Sequence, residues 1–314
     1  MDVRTLKYFV LVAEEGSIHG GARRAMVAQP AVSVALKKLE RDVGAPLFER
    51  SPRGVELTGA GAALLGHARQ ILRAMEDARR EVRGAQAQPA FTVGLVSGRV
   101  SAGELTGLIL DAFQKSRPDL RLRVRELDFV EQYEAVLDGS VDVAVVRSPY
   151  QDERLVMEPL FTEPTLLVAS TDHPFSRLAE VPVDAALKER FIDVVRTPRQ
   201  WRNFWSLADL RNERARSIPS RAVGLIDYSV DVMRNSVVSP MAQSAWRLGG
   251  LGAPMLRPVK LVGAPHSVIG VGYRVGHGSD GVDSFASVAR SVTRRFIGMV
   301  PDGVLATRAG DNAR

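Results

Sequence analysis

Residues 27–40 read VAQPAVSVALKKLE. A proline stands in the first turn of an otherwise good helix pattern, where its missing N–H and fixed φ do no harm. Val32, Leu36, Leu39 and Val43 recur at spacings of four, three and four, the period of one buried helix face. Gly44 ends the run. The opposite face carries Gln29, Pro30, Ser33, Val34 and Lys37. That mixture suits neither a core nor a fully solvated surface, and it implies a partner.

Working outward, Leu6, Phe9, Val10 and Ala13 form an apolar helical stripe that stops at Gly16. Ser17 can cap a second helix, SIHGGARRA, weakened by Gly20 and Gly21, each costing roughly 1 kcal/mol against alanine. After the 27–40 helix, LFERSPRGVELT (residues 47–58) reads as strands Leu47–Arg50 and Val55–Thr58 around the turn SPRG. Two helices joined by a tight turn and followed by a two-stranded ribbon make a winged helix-turn-helix. The second helix of that motif lies in the major groove with its N-terminal residues at base edges. Gln29 can make a bidentate contact to adenine, and Ser33 can donate or accept. Pro30 and Val34 offer apolar surface to a thymine methyl. Lys37 and Lys38 sit near phosphates, and Arg50 and Arg53 on the wing reach backbone or minor groove. Charge agrees with this reading: of a formal net charge of +6, residues 1–90 hold 14 Lys/Arg against 10 Asp/Glu. A small basic domain suits a polyanion, although a basic solvated surface would have the same composition.

The next segment, TGAGAALLGHARQILRAMEDARREVRGAQ (58–86), opens at a capping Thr58. Gly61, Leu64, Ala68, Ile71, Met75, Ala78 and Val82 alternate at threes and fours, a coiled-coil seam. Leu64, Ala68, Ile71, Met75, Ala78 and Val82 are therefore expected to dimerise the chain. The competing reading is a long helix packed on its own domain.

From Leu6 to Gly61 the chain resembles the DNA-binding end of a LysR-type transcriptional regulator. The resemblance rests on AQPAVS…LE, on G-x-x-LFER and on T-x-A-G before the long helix. It extends more loosely over nearly the whole chain. It implies a linker-helix dimer, often doubled to a tetramer, and a two-lobed α/β sensor similar to a periplasmic binding protein, with a small-molecule cleft between its lobes. It also assigns base reading to Gln29, Pro30 and Ser33, and wing contacts to Arg50 and Arg53. The chain departs from the family at Val34, where arginine is frequent. It departs again at Gly21 and Ala25, where alanine and leucine are usual, and at NSVVSP (235–240), which lacks the glycines that the family shows in the cleft wall of the second lobe.

The domains expected are a winged helix-turn-helix over 1–58, a linker helix over 59–88 and an effector-binding domain over 89–314. The effector domain divides into one lobe at about 89–160 plus 266–297 and a second at about 161–265, with 298–314 as a flexible tail. FTVGLVS (91–97), LRLRVREL (120–127) and VDVAVV (141–146) read as strands separated by helices, the alternation of a parallel sheet. A second cycle follows through TLLVAS (165–170), FIDVV (191–195) and HSVIGVGYRV (266–275). Ligands of such sheets sit at strand carboxyl ends. Those ends offer Ser97, Arg99, Ser101, Asp128, Phe129, Arg147 and Ser148, and RTPRQWRNFW (196–205) adds Arg199, Trp201 and Phe204. A small carboxylate, aromatic or not, is expected, with Arg99, Arg147 or Arg199 pairing the anion and Trp201 or Phe204 stacking.

Other chemistries find little support. The chain has no cysteine, hence no disulfide framework or thiolate metal site. Its five histidines show no metal spacing. There is no G-x-S-x-G or S-x-x-K. GHGSDG (276–281) matches a dinucleotide fingerprint literally but comes too near the end of the chain to open a nucleotide-binding fold. No run of about eighteen apolar residues spans a membrane, and MDVRTLKYFVLVAEEG has interrupted helical spacing rather than the form of a secretion signal. The expectation is a cytoplasmic, effector-modulated regulator without cofactor or enzymatic activity. Its partners would be double-stranded DNA, a small molecule, its own copies and RNA polymerase. The alternatives are a repressor without effector response, or an enzyme or binding domain carrying a DNA-binding head.

Overall fold

In a computed structural model of the chain, residues 1–51, 54–82, 88–147, 149, 152–211, 217–249, 254–276 and 279–306 are described, the side chains of residues 50, 51, 70, 73 and 76–82 excepted. The chain divides into two units, Met1–Gln88 with Leu137–Ser140, and Pro89–Val136 with Val141–Arg314.

Local signals start and stop the helices of the first unit. The Asp2 carboxylate accepts the Thr5 N–H at 2.8 Å and opens α1 (Val3–Glu15), which Gly16 closes in a left-handed conformation. The Ser17 hydroxyl accepts the Gly20 N–H at 3.0 Å and opens α2 (Ile18–Ala25). Helix α3 spans Gln29–Val43. Strands β1 (Phe48–Ser51) and β2 (Gly54–Leu57) pair antiparallel as the wing. The Thr58 hydroxyl accepts the Gly61 N–H at 3.0 Å, donates to the Pro46 carbonyl at 2.7 Å and so starts α4 (Gly59–Val82).

Leu6, Phe9, Val12, Val32, Leu36, Leu39 and Leu47 are fully or nearly buried and make the core of this unit. Val12, not Ala13, completes the α1 stripe. Val43 is 41% exposed, so the inward face of α3 ends at Leu39. The glycine that weakens α2 has a packing reason: a Cβ on Gly21 would lie 2.4 Å from Val12 Cγ2 and 2.9 Å from Val12 Cα and N. Backbones of α1 and α2 approach too closely there for any side chain. Gly61 is constrained likewise, its Cβ position falling 2.1 Å from the Leu47 carbonyl oxygen.

The coiled-coil expectation for α4 needs correction. Ala68 is fully buried in this unit's own core, and Leu64, Leu65 and Leu72 pack against the same cluster. The first half of the seam is thus occupied by the helix-turn-helix, because α4 crosses α1 along that face. Ile71 is 37% exposed and Met75 is half-buried. The side chains of Ala78 and Val82 lie outside the described residues.

The second unit runs β3 (Ala90–Val96), α5 (Thr106–Ser116), β4 (Arg121–Leu127), α6 (Glu131–Leu137), β5 (Val143–Arg147), β6 (Leu155–Glu163), β7 (Thr165–Ser170), β8 (Glu180–Pro182), α7 (Val183–Ala186), β9 (Phe191–Val194), α8 (Arg199–Trp205), β10 (Ser217–Ser220), α9 (Leu225–Arg234), β11 (Val238–Ala242), α10 (Gln243–Leu248), β12 (Leu256–Val262), β13 (Ser267–Arg274), α11 (Asp280–Phe296) and β14 (Val304–Leu305). One lobe is a six-stranded sheet in the order β14-β6-β13-β5-β3-β4. Only β4, β3 and β5 are parallel, and the rest pair antiparallel, so the sheet is mixed. Its core stacks Phe91, Phe113 and Phe285, with centroids 4.9 Å and 5.1 Å apart along the chain of contacts. The other lobe holds the sheet β11-β7-β12-β8 and the parallel pair β10-β9.

Strand β6 escapes a simple pattern search because LVMEPLFTE contains Pro159, seated beside the register shift opposite Ile269 and Gly270. Proline within sheets is confined to such irregular or edge positions. The chain passes between lobes twice, from β6 to β7 and from β12 to β13. The Thr165 hydroxyl donates to the Pro265 carbonyl at 2.8 Å and joins the two crossings. The expected tail is also corrected. Val300 is 3% exposed and β14 pairs with β6, so residues 298–306 belong to the first lobe, while 307–314 lie outside the described residues. Among the described residues no helix is long and apolar enough to cross a membrane.

Candidate functional site

On α3, Gln29, Pro30, Val34 and Lys37 are exposed and Ser33 is half-buried, and Val34 is 66% exposed. The face left over by burial of Val32, Leu36 and Leu39 is therefore the face the sequence sets apart. Ala28 supplies no side-chain cap, so the first-turn N–H groups of α3 have no side-chain acceptor from that position. Just before it, Met26 takes a left-handed conformation (φ 56°) and is 90% exposed. Nothing in AMVA (residues 25–28) marks a strained turn, so the sequence carries no signal for it. Further along, Lys37 and Arg41 border a shallow groove with Gly44 and Pro46. Glu40 is turned inward, its Oε1 accepting the Leu47 N–H at 2.9 Å. The Arg50 side chain and all of Arg53 lie outside the described residues.

The second unit contains a cleft between its lobes. Of the residues expected there, Ser97, Phe129, Arg147 and Trp201 line it. Ser97 ends β3 in a left-handed conformation (φ 57°) that turns the chain into the cleft. Phe129 stacks against Trp201 with centroids 5.3 Å apart, and Trp201 lies 5.7 Å from Trp205. Five expected residues are elsewhere. Arg99 and Arg199 are exposed and do not line the cleft. Ser101 is buried, its hydroxyl donating to the Val145 carbonyl at 2.8 Å. The Asp128 carboxylate accepts the Val130 and Glu131 N–H groups at 2.7 Å and 2.6 Å and caps α6. Phe204 packs on Trp205 at 4.9 Å. Ser148 lies outside the described residues.

Arg147 lines the cleft, but its guanidinium is engaged. Nη1 donates to Glu163 Oε1 at 2.5 Å and to Ser267 Oγ at 3.2 Å, and Nη2 donates to the Val100 carbonyl at 3.1 Å and to Ser244 Oγ at 2.7 Å. Glu163 is fully buried and also accepts the Ser244 N–H at 2.8 Å and its hydroxyl at 2.7 Å. Residues from β5, the end of β6, the start of β13 and the first turn of α10 thus meet where the chain crosses between lobes. Arg247 of α10 also pairs with Glu104 at 2.5 Å, and Gln243 donates to the Pro301 carbonyl at 3.0 Å. One short helix therefore ties the second lobe to the first through three residues.

Gln132, Trp205, Tyr228, Pro240 and Met241 also line the cleft, and no spacing in the sequence marks them for it. NSVVSP, without the family glycines, still builds this wall. Ser236 takes the left-handed conformation itself (φ 49°), and the chain then enters β11. The Tyr228 phenol donates to Ser239 Oγ at 2.6 Å or to the Pro240 carbonyl at 2.9 Å, and burial pushes its pKa well above the usual range, so it stays neutral. In GHGSDG, His277 and Gly278 lie outside the described residues, and Ser279 caps α11 by accepting the Val282 N–H at 3.3 Å. No group of described residues could hold a metal ion.

Two family profiles match the chain: bacterial regulatory helix-turn-helix protein, lysR family, over residues 3–62, and LysR substrate binding domain over residues 84–225. The chain is similar to the HTH-type transcriptional regulator AlsR of Bacillus subtilis (strain 168), with 32% identity across 62% of this chain and 65% of AlsR. It therefore spans just under two thirds of that relative. It is 36% identical to the HTH-type transcriptional regulator TfdT of Cupriavidus pinatubonensis (strain JMP 134 / LMG 1197), across 55% of this chain and 75% of TfdT. Full-length CbnR, solved in complex with its target DNA, shares the fold at a TM-score of 0.59 and 22% identity, across 93% of this chain and 100% of that one. Likeness of this extent at both ends of the chain means that it belongs to the LysR family of bacterial helix-turn-helix regulatory proteins.

Proposed function

We propose that this chain is a sequence-specific DNA-binding transcriptional regulator whose activity is set by a small molecule held between the lobes of its second unit. The observation that carries the reading is the exposed face of α3, where Gln29, Pro30, Ser33 and Val34 precede Lys37 and Arg41. Side chains able to read base edges come first on the helix, and cations able to meet phosphates follow. Arg50 and Arg53 would extend the contact from the wing. The regulator would act as a homodimer or tetramer in the cytoplasm, on the nucleoid, with RNA polymerase as the partner downstream. Among the described side chains of the α4 seam, Ile71 and Met75 remain available for self-association.

The test is binding of the full chain to DNA upstream of its own gene against scrambled DNA, near physiological salt, where phosphate contacts alone no longer mimic specificity. A preference of about a hundredfold or more is expected. Gln29→Ala should reduce it by about 1–3 kcal/mol, the worth of a bidentate base contact. Equal binding to both sequences, unchanged by Gln29→Ala, would remove α3 as the reader of that DNA.

A further inference from the structure

We propose that the cleft takes a neutral, largely apolar ligand carrying both a hydrogen-bond donor and an acceptor, an amide being the simplest form, rather than a carboxylate. This rests on the reading of the second unit as an effector-binding unit and names the chemistry of its effector.

Charge decides against an anion. Arg147 is the only cation among the described residues that line the cleft. Each of its Nη atoms donates twice, and one of the four acceptors is the fully buried carboxylate of Glu163. An incoming carboxylate would place a second anion beside one guanidinium in a site walled by Phe129, Trp201 and Trp205. Burying a charge without its own partner is costly. Arg99 and Arg199, the other cations expected to meet an anion, do not line the cleft.

Two unpartnered polar atoms indicate what the cleft does accept. Gln132 is fully buried, and its Nε2 donates to the Phe129 carbonyl at 3.1 Å, which fixes the orientation of the amide. Gln132 Oε1 is then a buried acceptor with no partner. Trp205 is 7% exposed, and its Nε1 is a buried donor with no partner. Buried polar groups in native proteins are nearly always paired. One unmatched acceptor and one unmatched donor, both on residues lining one apolar cleft, are complementary to a ligand that donates to Gln132 and accepts from Trp205. A carboxylate can only accept, and it would leave Gln132 Oε1 facing another acceptor.

The test uses isosteric pairs, benzamide with benzoate and acetamide with acetate, titrated calorimetrically into the full chain. In at least one pair the amide should bind about tenfold more tightly or better. Gln132→Leu should reduce amide binding about fivefold or more without weakening the carboxylate, whereas Trp205→Phe, which removes a donor that either ligand can use, should reduce amide binding by a similar factor and does not by itself separate the two. The wild-type comparison needs no variant to fold. A carboxylate that binds as well as its amide overturns the ligand class and leaves effector binding standing. Amide affinities that neither substitution changes, as expected if water satisfies both atoms, overturn the class as well. Binding of neither member of either pair at about 10 mM, a level at which even millimolar ligands register, overturns it too, while DNA binding, measured separately, still tests the regulator reading.

Discussion

Replacing Arg147 with methionine separates a structural cation from a ligand-binding one. Arg147 is 8% exposed and Glu163 is fully buried. Arg147→Met removes the ion pair at 2.5 Å and leaves the Glu163 carboxylate with only the Ser244 N–H and hydroxyl, at 2.8 Å and 2.7 Å. Stranding one charge of a buried pair costs about 3–5 kcal/mol. For a unit of this size each kcal/mol lowers Tm by about 2–4 °C, so the fall should be on the order of 10 °C. All three tryptophans, Trp201, Trp205 and Trp246, lie in the same unit, so thermal unfolding followed by intrinsic fluorescence reports it directly. Arg147→Met with Glu163→Leu removes both charges and should recover most of the loss, because apolar residues of similar volume replace buried pairs at little cost. A single variant with wild-type Tm would refute this account and make Arg147 again a candidate to pair an anionic ligand. A double variant no more stable than the single one would show that packing, not the stranded charge, sets the loss.

Gly21→Ala should destabilise the first unit by about 1–2 kcal/mol, because the strain of a Cβ against Val12 backbone atoms exceeds the roughly 1 kcal/mol gained in helix propensity. Hydrogen exchange of α1 and α2 amides reads this, and faster exchange is expected. Gly107→Ala, where nothing lies within 4 Å of the new Cβ, should be neutral or mildly stabilising, read by hydrogen exchange of the α5 amides. Ala28→Ser supplies α3 with the missing N-cap and should stabilise it by about 1 kcal/mol, read as slower exchange in its first turns. Ile71→Asp should lower the oligomeric mass in sedimentation while leaving each unit folded, whereas Ala68→Asp, at a fully buried position, should unfold the first unit before any change in assembly can be read.

Much of the first unit is legible residue by residue, because its signals are local. Asp2, Ser17 and Thr58 cap helices a few residues away. The face of α3 follows from a period that a single helix imposes. The same locality explains the errors there. Val43 fits the period but lies past the point where α3 still has a neighbour, and Ala68 fits a seam that α1 already covers. In the second unit, strands that end in loops point to the cleft, and Ser97, Phe129 and Trp201 do line it.

Sequence alone therefore determined the helices, the wing, the order of the units and which face of α3 is left without a core to join. Each depends on hydrogen bonds and apolar spacing within one or two turns of chain. Tertiary structure alone decided what Arg147 pairs with, since Glu163, Ser244 and Ser267 lie 16, 97 and 120 residues away. It also decided why Gly21 must be glycine, why β6 runs antiparallel through a proline, and which two polar atoms of the cleft go unmatched. A side chain's partner is set by which distant backbones the fold brings within about 3 Å of it, and no spacing along the chain encodes that.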